Sequence, residues 1–312
     1  MRLINFFLLL LVFYSGIVSA KTAIDTSMGI NIGGIKQWIN ISGKDTSKPL
    51  LLFLSGGPGN SNMNDKDFFT KKLQDKFVVV IWDQRESGKT LQLNASPLPL
   101  TVDLYVKDTH ELITYLLKRF NRPKLYLAGF SWGTVLGIKI AQQYPSLLYA
   151  YVAVSQLVDQ KRSEQILLQR LKTQAIEKKN QTALTELSLI KIPIENKDHL
   201  FYEIKWMLYF DNTKVSDTAL RKSLNEFSNS MFMLFTQAAK IDFTKIIRSL
   251  QCPVYFFAGR NDFITNHDLT YSFYQQIKDK NKHFYWFEKS EHDVILTEPD
   301  LFQQIIIEKL LP

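Results

Sequence analysis

Short apolar runs and longer amphipathic stretches follow one another along the chain. Continuous apolar runs, which are typical of strands buried on both faces, occupy residues 49–54, 77–82, 124–128, 148–154, 252–258 and 282–287. Helical periodicity occupies residues 65–73, 101–119, 135–144, 266–277 and 300–311, and alternation over 34–42 indicates a half-exposed strand. Strands that alternate with helices in this way predict an α/β fold, with a mostly parallel central sheet flanked by helices.

Residues 155–250 interrupt this alternation. Helical periodicity dominates the segment, which is too long for a plain crossover between two neighbouring strands. We therefore expect a helical cap inserted over 155–250, between a first part of the core over 21–154 and a second part over 251–312. The cap is rich in aromatic residues such as Trp206, which are candidates for a substrate pocket, although aromatic residues at such positions more often form the core of the cap itself.

Residues 1–20 carry the features of a secretory signal peptide. Arg2 precedes an apolar stretch over 6–13, and V-S-A over 18–20 supplies the small residues for cleavage after Ala20. This predicts a secreted or periplasmic protein without a stable membrane span, because the apolar stretch is shorter than the ~20 residues of a spanning helix. An uncleaved anchor is the alternative. Cys252 is the only cysteine, so no internal disulfide can form.

Composition limits the classes of partner. The formal net charge of +8 comes from Lys and Arg residues scattered among acidic ones, without the basic stripe of a nucleic-acid-binding surface. The chain has no metal-ligand spacing, no G-x-G-x-x-G after the first strand and no Walker loop. The sequence therefore predicts no cofactor, no metal and no nucleic-acid partner, and it leaves the oligomeric state open.

The segment G-F-S-W-G over 129–133 lies between a predicted buried strand and a predicted helix. That context is typical of a nucleophile elbow, in which a tight turn raises a serine hydroxyl above the end of the sheet. The glycines at either end avoid the collisions that larger side chains would make in so tight a turn. We therefore expect Ser131 to be a nucleophile.

A serine needs a general base, and a histidine held in one tautomer by a carboxylate is the usual choice. His292 lies in the loop after the last predicted strand, and Asp262 follows the strand before it. The chain order Ser131, Asp262, His292 is the order found in α/β-hydrolases. We predict that these three residues form a catalytic triad at one edge of the sheet.

The segment S-G-G-P-G over 55–59 follows the first predicted buried strand and has few side chains to block a ligand. In α/β-hydrolases one oxyanion donor comes from such a loop and the other from the residue after the nucleophile. The backbone amides of Gly57 and Trp132 are therefore the candidates, with Gly56 as the alternative in the loop. We expect Asp83 and Arg85, in a polar turn over 83–90, to pair and brace the loop.

Four of these segments together resemble the prolyl-iminopeptidase-like branch of the α/β-hydrolase superfamily. S-G-G-P-G over 55–59 is similar to the branch's H-G-G-P-G, and D-Q-R followed by S-G-K-T over 83–90 is similar to its D-Q-R-G-x-G-x-S. G-F-S-W-G over 129–133 matches G-x-S-W-G, and G-R-N-D over 259–262 matches G-R-x-D. Ser55 and Glu86 depart from the pattern, where the branch has His and Gly.

The resemblance implies an enzyme that removes an N-terminal residue, often proline, or that hydrolyses other small amides and esters. It also implies acidic residues in the cap that hold the free amine of the substrate, for which Glu203 and Glu226 are candidates.

Three functions remain open from the sequence. The first is a serine hydrolase that works through an acyl-enzyme on small molecules or short peptides, as an aminopeptidase of the prolyl iminopeptidase type. The second is a carboxylesterase or lipase-like hydrolase of small apolar esters, which the aromatic cap favours. The third is a non-catalytic α/β-hydrolase that serves as a binding protein.

Overall fold

A computed structural model of the protein describes residues 22–97 and 99–311. The predicted signal peptide over 1–20 and its cleavage after Ala20 lie outside the described residues, so secretion stays a prediction. Within the described ranges, no helix is long and apolar enough to cross a membrane.

The centre of the fold is a mostly parallel sheet in the order β1-β2-β4-β3-β5-β6-β7-β8. Strand β2 pairs antiparallel with β1 and β4, and every later neighbouring pair is parallel. The strands are β1 (Ile24–Ile32), β2 (Ile35–Gly43), β3 (Leu50–Leu54), β4 (Val78–Asp83), β5 (Leu125–Phe130), β6 (Leu148–Val154), β7 (Val254–Gly259) and β8 (Lys282–Phe287). The predicted α/β fold with a mostly parallel sheet is confirmed.

Helices cover both faces of this sheet. They are α1 (Lys66–Thr70), α2 (Gly88–Leu93), α3 (Val102–Phe120), α4 (Trp132–Gln143), α5 (Gln160–Glu177), α6 (Gln181–Leu189), α7 (Lys197–Phe210), α8 (Asp217–Glu226), α9 (Asn229–Ala239), α10 (Phe243–Ile246), α11 (His267–Gln276), α12 (Val294–Thr297) and α13 (Pro299–Leu310). One apolar cluster packs α3, α4 and α11 against one face of the sheet. A second cluster packs α1 and α13 against the other face.

Strand β1 and the short helices α2 and α12 were absent from the expectations. Strand β1 was not predicted, although apolar Ile24, Met28, Ile30 and Ile32 do alternate with polar residues and Gly29; the strand is held by full pairing with β2. The segment over 83–90 was expected to be a turn throughout, but α2 begins at Gly88. This helix is short and buries only Thr90, so it carries almost no amphipathic signal.

Helices α5 to α10 lie between β6 and β7 along the chain. Apolar side chains of α5 to α8, with Phe232 of α9, form a cluster of their own, whereas Leu234 of α9 and Phe243 of α10 join the cluster on the sheet. A separate cluster is what a helical cap needs in order to pack as a unit. The division into a cap over 155–250 and two core parts over 21–154 and 251–312 stays a prediction.

Candidate active site

Ser131 occupies the turn between β5 and α4. Its backbone has φ 51° and ψ −118°, a conformation that is unfavourable for any residue with a side chain. Strain of this kind persists only where the surroundings impose it. The side chain stands at the carboxyl end of β5, in the middle of the sheet, and is half-buried.

The two glycines of the elbow are required by close packing. A Cβ atom on Gly133 would lie 2.2 Å from the carbonyl oxygen of Leu54, at the end of the neighbouring strand β3. A Cβ atom on Gly129 would lie 2.6 Å from the carbonyl oxygen of Gly133. Both distances are far below contact, so the tight turn forms only with glycine at these positions.

The structure brings Ser131, His292 and Asp262 together, as the sequence predicts. His292 Nε2 lies 2.9 Å from Ser131 Oγ, and His292 Nδ1 lies 3.0 Å from Asp262 Oδ2. Asp262 follows β7 and His292 follows β8, so the parallel strands deliver all three side chains to one edge of the sheet. With the proton on Nδ1, the imidazole donates to Asp262 and its Nε2 accepts the serine proton.

Asp262 is held as an oriented anion. Its Oδ1 accepts the amide hydrogens of Ile264 and Thr265, at 2.9 and 3.0 Å, and Oδ2 accepts the Thr265 hydroxyl at 2.7 Å. Burial alone would raise the pKa of this carboxyl, but the charge and hydrogen bond of His292 and the two hydrogen bonds from Thr265 hold the pKa below its ordinary value. The carboxylate is therefore ionised and fixed in place.

His292 responds in the opposite direction. Burial lowers the pKa of its imidazole, but the Asp262 carboxylate more than offsets this and raises the pKa above its ordinary value of 6.5. The loop is anchored by Ser155, which was not predicted: its hydroxyl donates a 2.7 Å hydrogen bond to the carbonyl oxygen of His292. The ring is further enclosed by Phe130, whose centroid lies 5.3 Å away.

The proposed oxyanion donors border the nucleophile. Gly57, Ser131 and Trp132 line one small cavity of about 80 Å³. Gly56 does not line it; a Cβ atom at this position would lie 3.1 Å from the Phe130 ring. The arrangement therefore favours Gly57 over Gly56 as the partner of Trp132.

Gln84 ties the two segments that carry these amides. Its side-chain Nε2 donates to the carbonyl oxygen of Ser55 at 3.1 Å, and its Oε1 accepts from the Trp132 indole at 3.0 Å. All three side chains are buried. The brace of the predicted oxyanion loop, residues 55–59, is thus a neutral amide, which the sequence did not reveal.

The expected pairing of Asp83 with Arg85 is wrong. The side chain of Arg85 instead binds Asp108 of α3 and the carbonyl oxygen of Gly33. Asp83 accepts the Ser61 hydroxyl at 2.5 Å and the Lys89 amide at 2.8 Å. Asp83 ends β4 and Arg85 lies two residues further along the chain, and each residue joins a different network.

A second and much larger cavity, of about 720 Å³, lies between the oxyanion loop and the cap helices. It shares Gly57, Pro58, Gln160, Phe235 and Ile264 with the small cavity at Ser131, so the two spaces adjoin. The N-terminal part of a substrate whose carbonyl lies at Ser131 has room in the larger space.

Two buried carboxyl groups of the cap line this larger cavity. Glu164 on α5 is 1 % exposed and Glu203 on α7 is 6 % exposed. Glu164 Oε2 accepts the Ile194 amide at 3.2 Å, whereas Glu164 Oε1 and Glu203 Oε1 have no hydrogen-bond partner among the described residues. Buried polar atoms without partners are costly and rare, and each of these two oxygens can still accept a hydrogen bond.

Burial sets the ionisation of this pair. It raises the pKa of Glu164 to about 7, although the Ile194 amide and the Gln160 side chain oppose the shift. Burial, with the nearby charge of Glu164, also raises the pKa of Glu203 well above its ordinary value. A cation in the cavity would favour the charged form of both groups.

The other two candidates of the cap differ from Glu203. Glu226 lines the cavity at its rim, where its side chain is 69 % exposed and lies 3.9 Å from Lys222 Nζ. Trp206 does not line it, and the expectation that it contacts substrate is corrected. Its indole donates to Glu186 at 2.8 Å and its ring packs in the core of the cap.

Glu164 was missed by the sequence analysis. Leu167, Leu168 and Leu171 follow it at helical spacing on the buried face of α5. An acidic residue in line with such an apolar stripe was a readable signal. No cluster of three or more His, Cys, Asp or Glu side chains in the part of the chain that the structure describes is placed to hold a metal ion.

Comparison with known proteins places the chain in a family. The family model for the alpha/beta hydrolase fold matches residues 49–299. The chain is 30% identical over 306 residues to "Probable aminopeptidase YbaC" of Bacillus subtilis, an alignment that covers 91% of this chain and 96% of the relative.

Solved structures share the fold at lower identity. A proline iminopeptidase of Mycobacterium smegmatis is 19% identical, with a TM-score of 0.67 over 91% of this chain and 97% of that one. An esterase of Exiguobacterium antarcticum is 14% identical, with a TM-score of 0.62 over 91% and 99%. The chain belongs to the α/β-hydrolase family of enzymes, and its predicted resemblance to the prolyl-iminopeptidase-like branch is confirmed.

Proposed function

We propose that the protein is a serine aminopeptidase, which removes the N-terminal residue from short peptides and small amides through an acyl-enzyme on Ser131. The observation that carries this proposal is the pair of buried, incompletely bonded carboxyls, Glu164 and Glu203, in the cavity that adjoins Ser131. A free α-ammonium group supplies the hydrogen-bond donors and the positive charge that both carboxyls lack.

The chemistry follows from the hydrogen-bonded chain of Ser131, His292 and Asp262. As Ser131 Oγ attacks the scissile carbonyl, its proton passes to His292 Nε2, and Asp262 stabilises the resulting imidazolium. The oxyanion accepts hydrogen bonds from the amides of Gly57 and Trp132.

The tetrahedral intermediate then collapses, and His292 returns the proton to the leaving amine as the C–N bond breaks. A water molecule loses a proton to His292 and attacks the acyl-enzyme, which releases the amino acid and restores Ser131. A cavity of about 470 Å³ borders His292 and offers space for the leaving group on the His292 side of the site.

An esterase is the second candidate, because apolar side chains such as Leu167, Met207 and Phe235 form much of the larger cavity wall. The two functions differ in what the cavity must recognise. An esterase needs only apolar walls, and burial of two carboxyls without partners would then be an uncompensated cost. The carboxyl pair therefore favours the aminopeptidase.

The test compares free and acetylated substrates. We expect aminoacyl p-nitroanilides to be hydrolysed with kcat/KM about 10²-fold or more above their N-acetyl forms, because acetylation removes the charge that Glu164 and Glu203 bind. Ser131→Ala should abolish both activities. Equal rates for free and acetylated substrates, or faster hydrolysis of p-nitrophenyl esters alone, would contradict the aminopeptidase proposal and support the esterase.

A further inference from the structure

The larger cavity is more acidic than one ammonium group requires. Glutamates line it at positions 86, 164, 203 and 226, and the lining residues that the structure describes include no Lys, Arg or His. This contrasts with a chain whose formal net charge is +8. Glu164 and Glu203 suffice to bind one α-ammonium group. The carboxylates of Glu86 and Glu226 remain for a second cation.

Glu226 is a weak candidate for a second cation. Its side chain is mostly exposed at the rim, where water screens the charge, and Lys222 lies 3.9 Å away. Its contribution to binding inside the cavity is therefore small.

Glu86 is better placed. It is half-buried beside the oxyanion loop, and its carbonyl oxygen would lie 3.8 Å from a Cβ atom on Gly59. Its Oε1 accepts the Ser96 amide at 3.0 Å, and the described residues offer no other hydrogen bond or ion pair to this carboxylate. One of its two oxygens is thus available to a ligand.

The backbone at Glu86 adds a second reason. Its φ of 56° lies in the left-handed region, where glycine is favoured and a glutamate is strained. The motif that this segment resembles has glycine at the same place. The chain therefore carries a carboxylate at a position where a residue without a side chain would fit with less strain.

The size and walls of the cavity suit a long side chain. Its volume of about 720 Å³ exceeds what a proline ring needs. Leu167, Met207 and Phe235 line it as well as the glutamates, and apolar walls of this kind cover the methylene stem of a lysine or arginine side chain.

We propose that this cavity selects N-terminal residues with a second positive charge, namely lysine, ornithine or arginine. Glu164 and Glu203 bind the α-ammonium group, and Glu86 binds the cation at the end of the side chain. This inference rests on the proposed aminopeptidase function and narrows its substrate class.

The experiment compares lysyl with norleucyl p-nitroanilide, because these two differ only in the terminal ammonium group. We expect kcat/KM to be at least about tenfold higher for the lysyl substrate, which is the size of one charge-assisted hydrogen bond. Glu86→Gln should bring the ratio close to one. Glu308→Gln, a matched change on exposed α13, should leave the ratio as it is in the wild type.

A binding measurement separates recognition from turnover. Lysine amide and norleucine amide are titrated calorimetrically into the Ser131→Ala variant, with and without Glu86→Gln. Lysine amide should bind about tenfold more tightly only when Glu86 is present. Glu86→Gly serves as a second variant in case Glu86→Gln folds poorly, since glycine relieves the left-handed strain.

The outcomes are distinct. Cleavage of the norleucyl substrate at a rate equal to or above that of the lysyl substrate overturns this inference and leaves the aminopeptidase proposal standing. A lysyl preference that survives both changes at Glu86 overturns the role of that residue. If neither substrate is cleaved while a fluorophosphonate labels Ser131, both the inference and the aminopeptidase proposal fail.

Discussion

The indole Nε1 of Trp132 donates a 3.0 Å hydrogen bond to Gln84 Oε1, at a point where both side chains are buried. The same Gln84 amide donates to the carbonyl oxygen of Ser55, next to the glycine-rich loop. One side chain therefore sets the separation between the two segments that carry the proposed oxyanion donors, Gly57 and Trp132. Gln84 is a positioning residue in this arrangement, since it does not line either cavity at Ser131.

We expect Gln84→Leu to lower kcat by about 10- to 100-fold with little change in KM. The substitution leaves the Ser55 carbonyl and the Trp132 indole without partners, so the two amides drift from the oxyanion, which exists only in the transition state. Steady-state hydrolysis of an activated ester measures both constants.

Gln303→Leu is the matched control for this change. Gln303 is also buried and also joins two segments by its amide, but it bonds Lys72 and Pro299, remote from Ser131. The Gln303→Leu substitution should lower the free energy of unfolding by about as much as Gln84→Leu does, and it should leave kcat unchanged. A fall in kcat no larger for Gln84→Leu than for Gln303→Leu would show that Gln84 acts only through general stability.

The Asp262–His292 pair gives a prediction for the pH profile. In the proposed mechanism catalysis needs neutral His292, whose pKa the Asp262 carboxylate raises above 6.5. We therefore expect kcat/KM for a neutral ester to increase with pH through a midpoint above 6.5. Asp262→Asn should reduce kcat by about 10³- to 10⁴-fold, because the imidazole loses its tautomer, and should move the midpoint below 6.5.

A pH–rate series for both proteins, with an ester whose own charge is constant, measures this shift. Thr265→Val should give a midpoint between those of the wild type and Asp262→Asn, because it removes one hydrogen bond to Asp262 while the carboxylate remains. A midpoint that does not move in Asp262→Asn would contradict the assignment of Asp262 as the partner of His292.

Glu164 links function to stability. Its folded-state pKa of about 7 lies above the ordinary 4.5, so the folded protein holds this proton more tightly than the unfolded chain does. The stability that this group contributes is present below pH 4.5, decreases as the pH rises to 7 and is lost above pH 7. We expect Glu164→Gln to increase the free energy of unfolding at pH 8, relative to wild type, by about 1 to 3 kcal/mol more than at pH 4.5.

The same variant should lose activity on free aminoacyl substrates while it retains activity on esters. Denaturant unfolding at pH 4.5 and pH 8 gives the stability difference, and paired assays give the substrate difference. Glu177→Gln, at the far end of α5, is the control, since this residue is exposed. A variant that is stabilised but still prefers the free amine would show that Glu164 does not bind it.

The sequence was sufficient to predict that the three residues of the proposed triad lie together, because each of them belongs to a local pattern. Ser131 lies in a glycine-bounded turn, and Asp262 and His292 each follow an apolar strand. The carboxyl ends of parallel strands meet at one edge of the sheet. Predicting the strands was therefore enough to predict that the side chains following them lie close together. The motif also implies the close packing in the turn that requires glycine at positions 129 and 133.

The residues that the sequence left unassigned depend on contacts between distant segments. The role of Gln84 requires knowing that β4 lies next to β3 and that the Trp132 indole faces it. Arg85 was paired with its neighbour Asp83 because α3 and the turn at Gly33 were not known to enclose it. In the cap, Glu203, Glu164 and Trp206 are all buried, and only the structure shows that the two glutamates line the cavity and the tryptophan does not. The helical periodicity does not specify which side of a cap helix faces the core domain.

The most direct test of the central claim is labelling with a fluorophosphonate, followed by mapping of the modified peptide by mass spectrometry. We expect stoichiometric modification at Ser131, no modification of Ser131→Ala, and strongly slowed modification of His292→Ala, because the hydroxyl is reactive only with its base. A folded wild-type protein that is not labelled, or a label on another serine, would contradict a nucleophilic Ser131 and favour a non-catalytic binding protein.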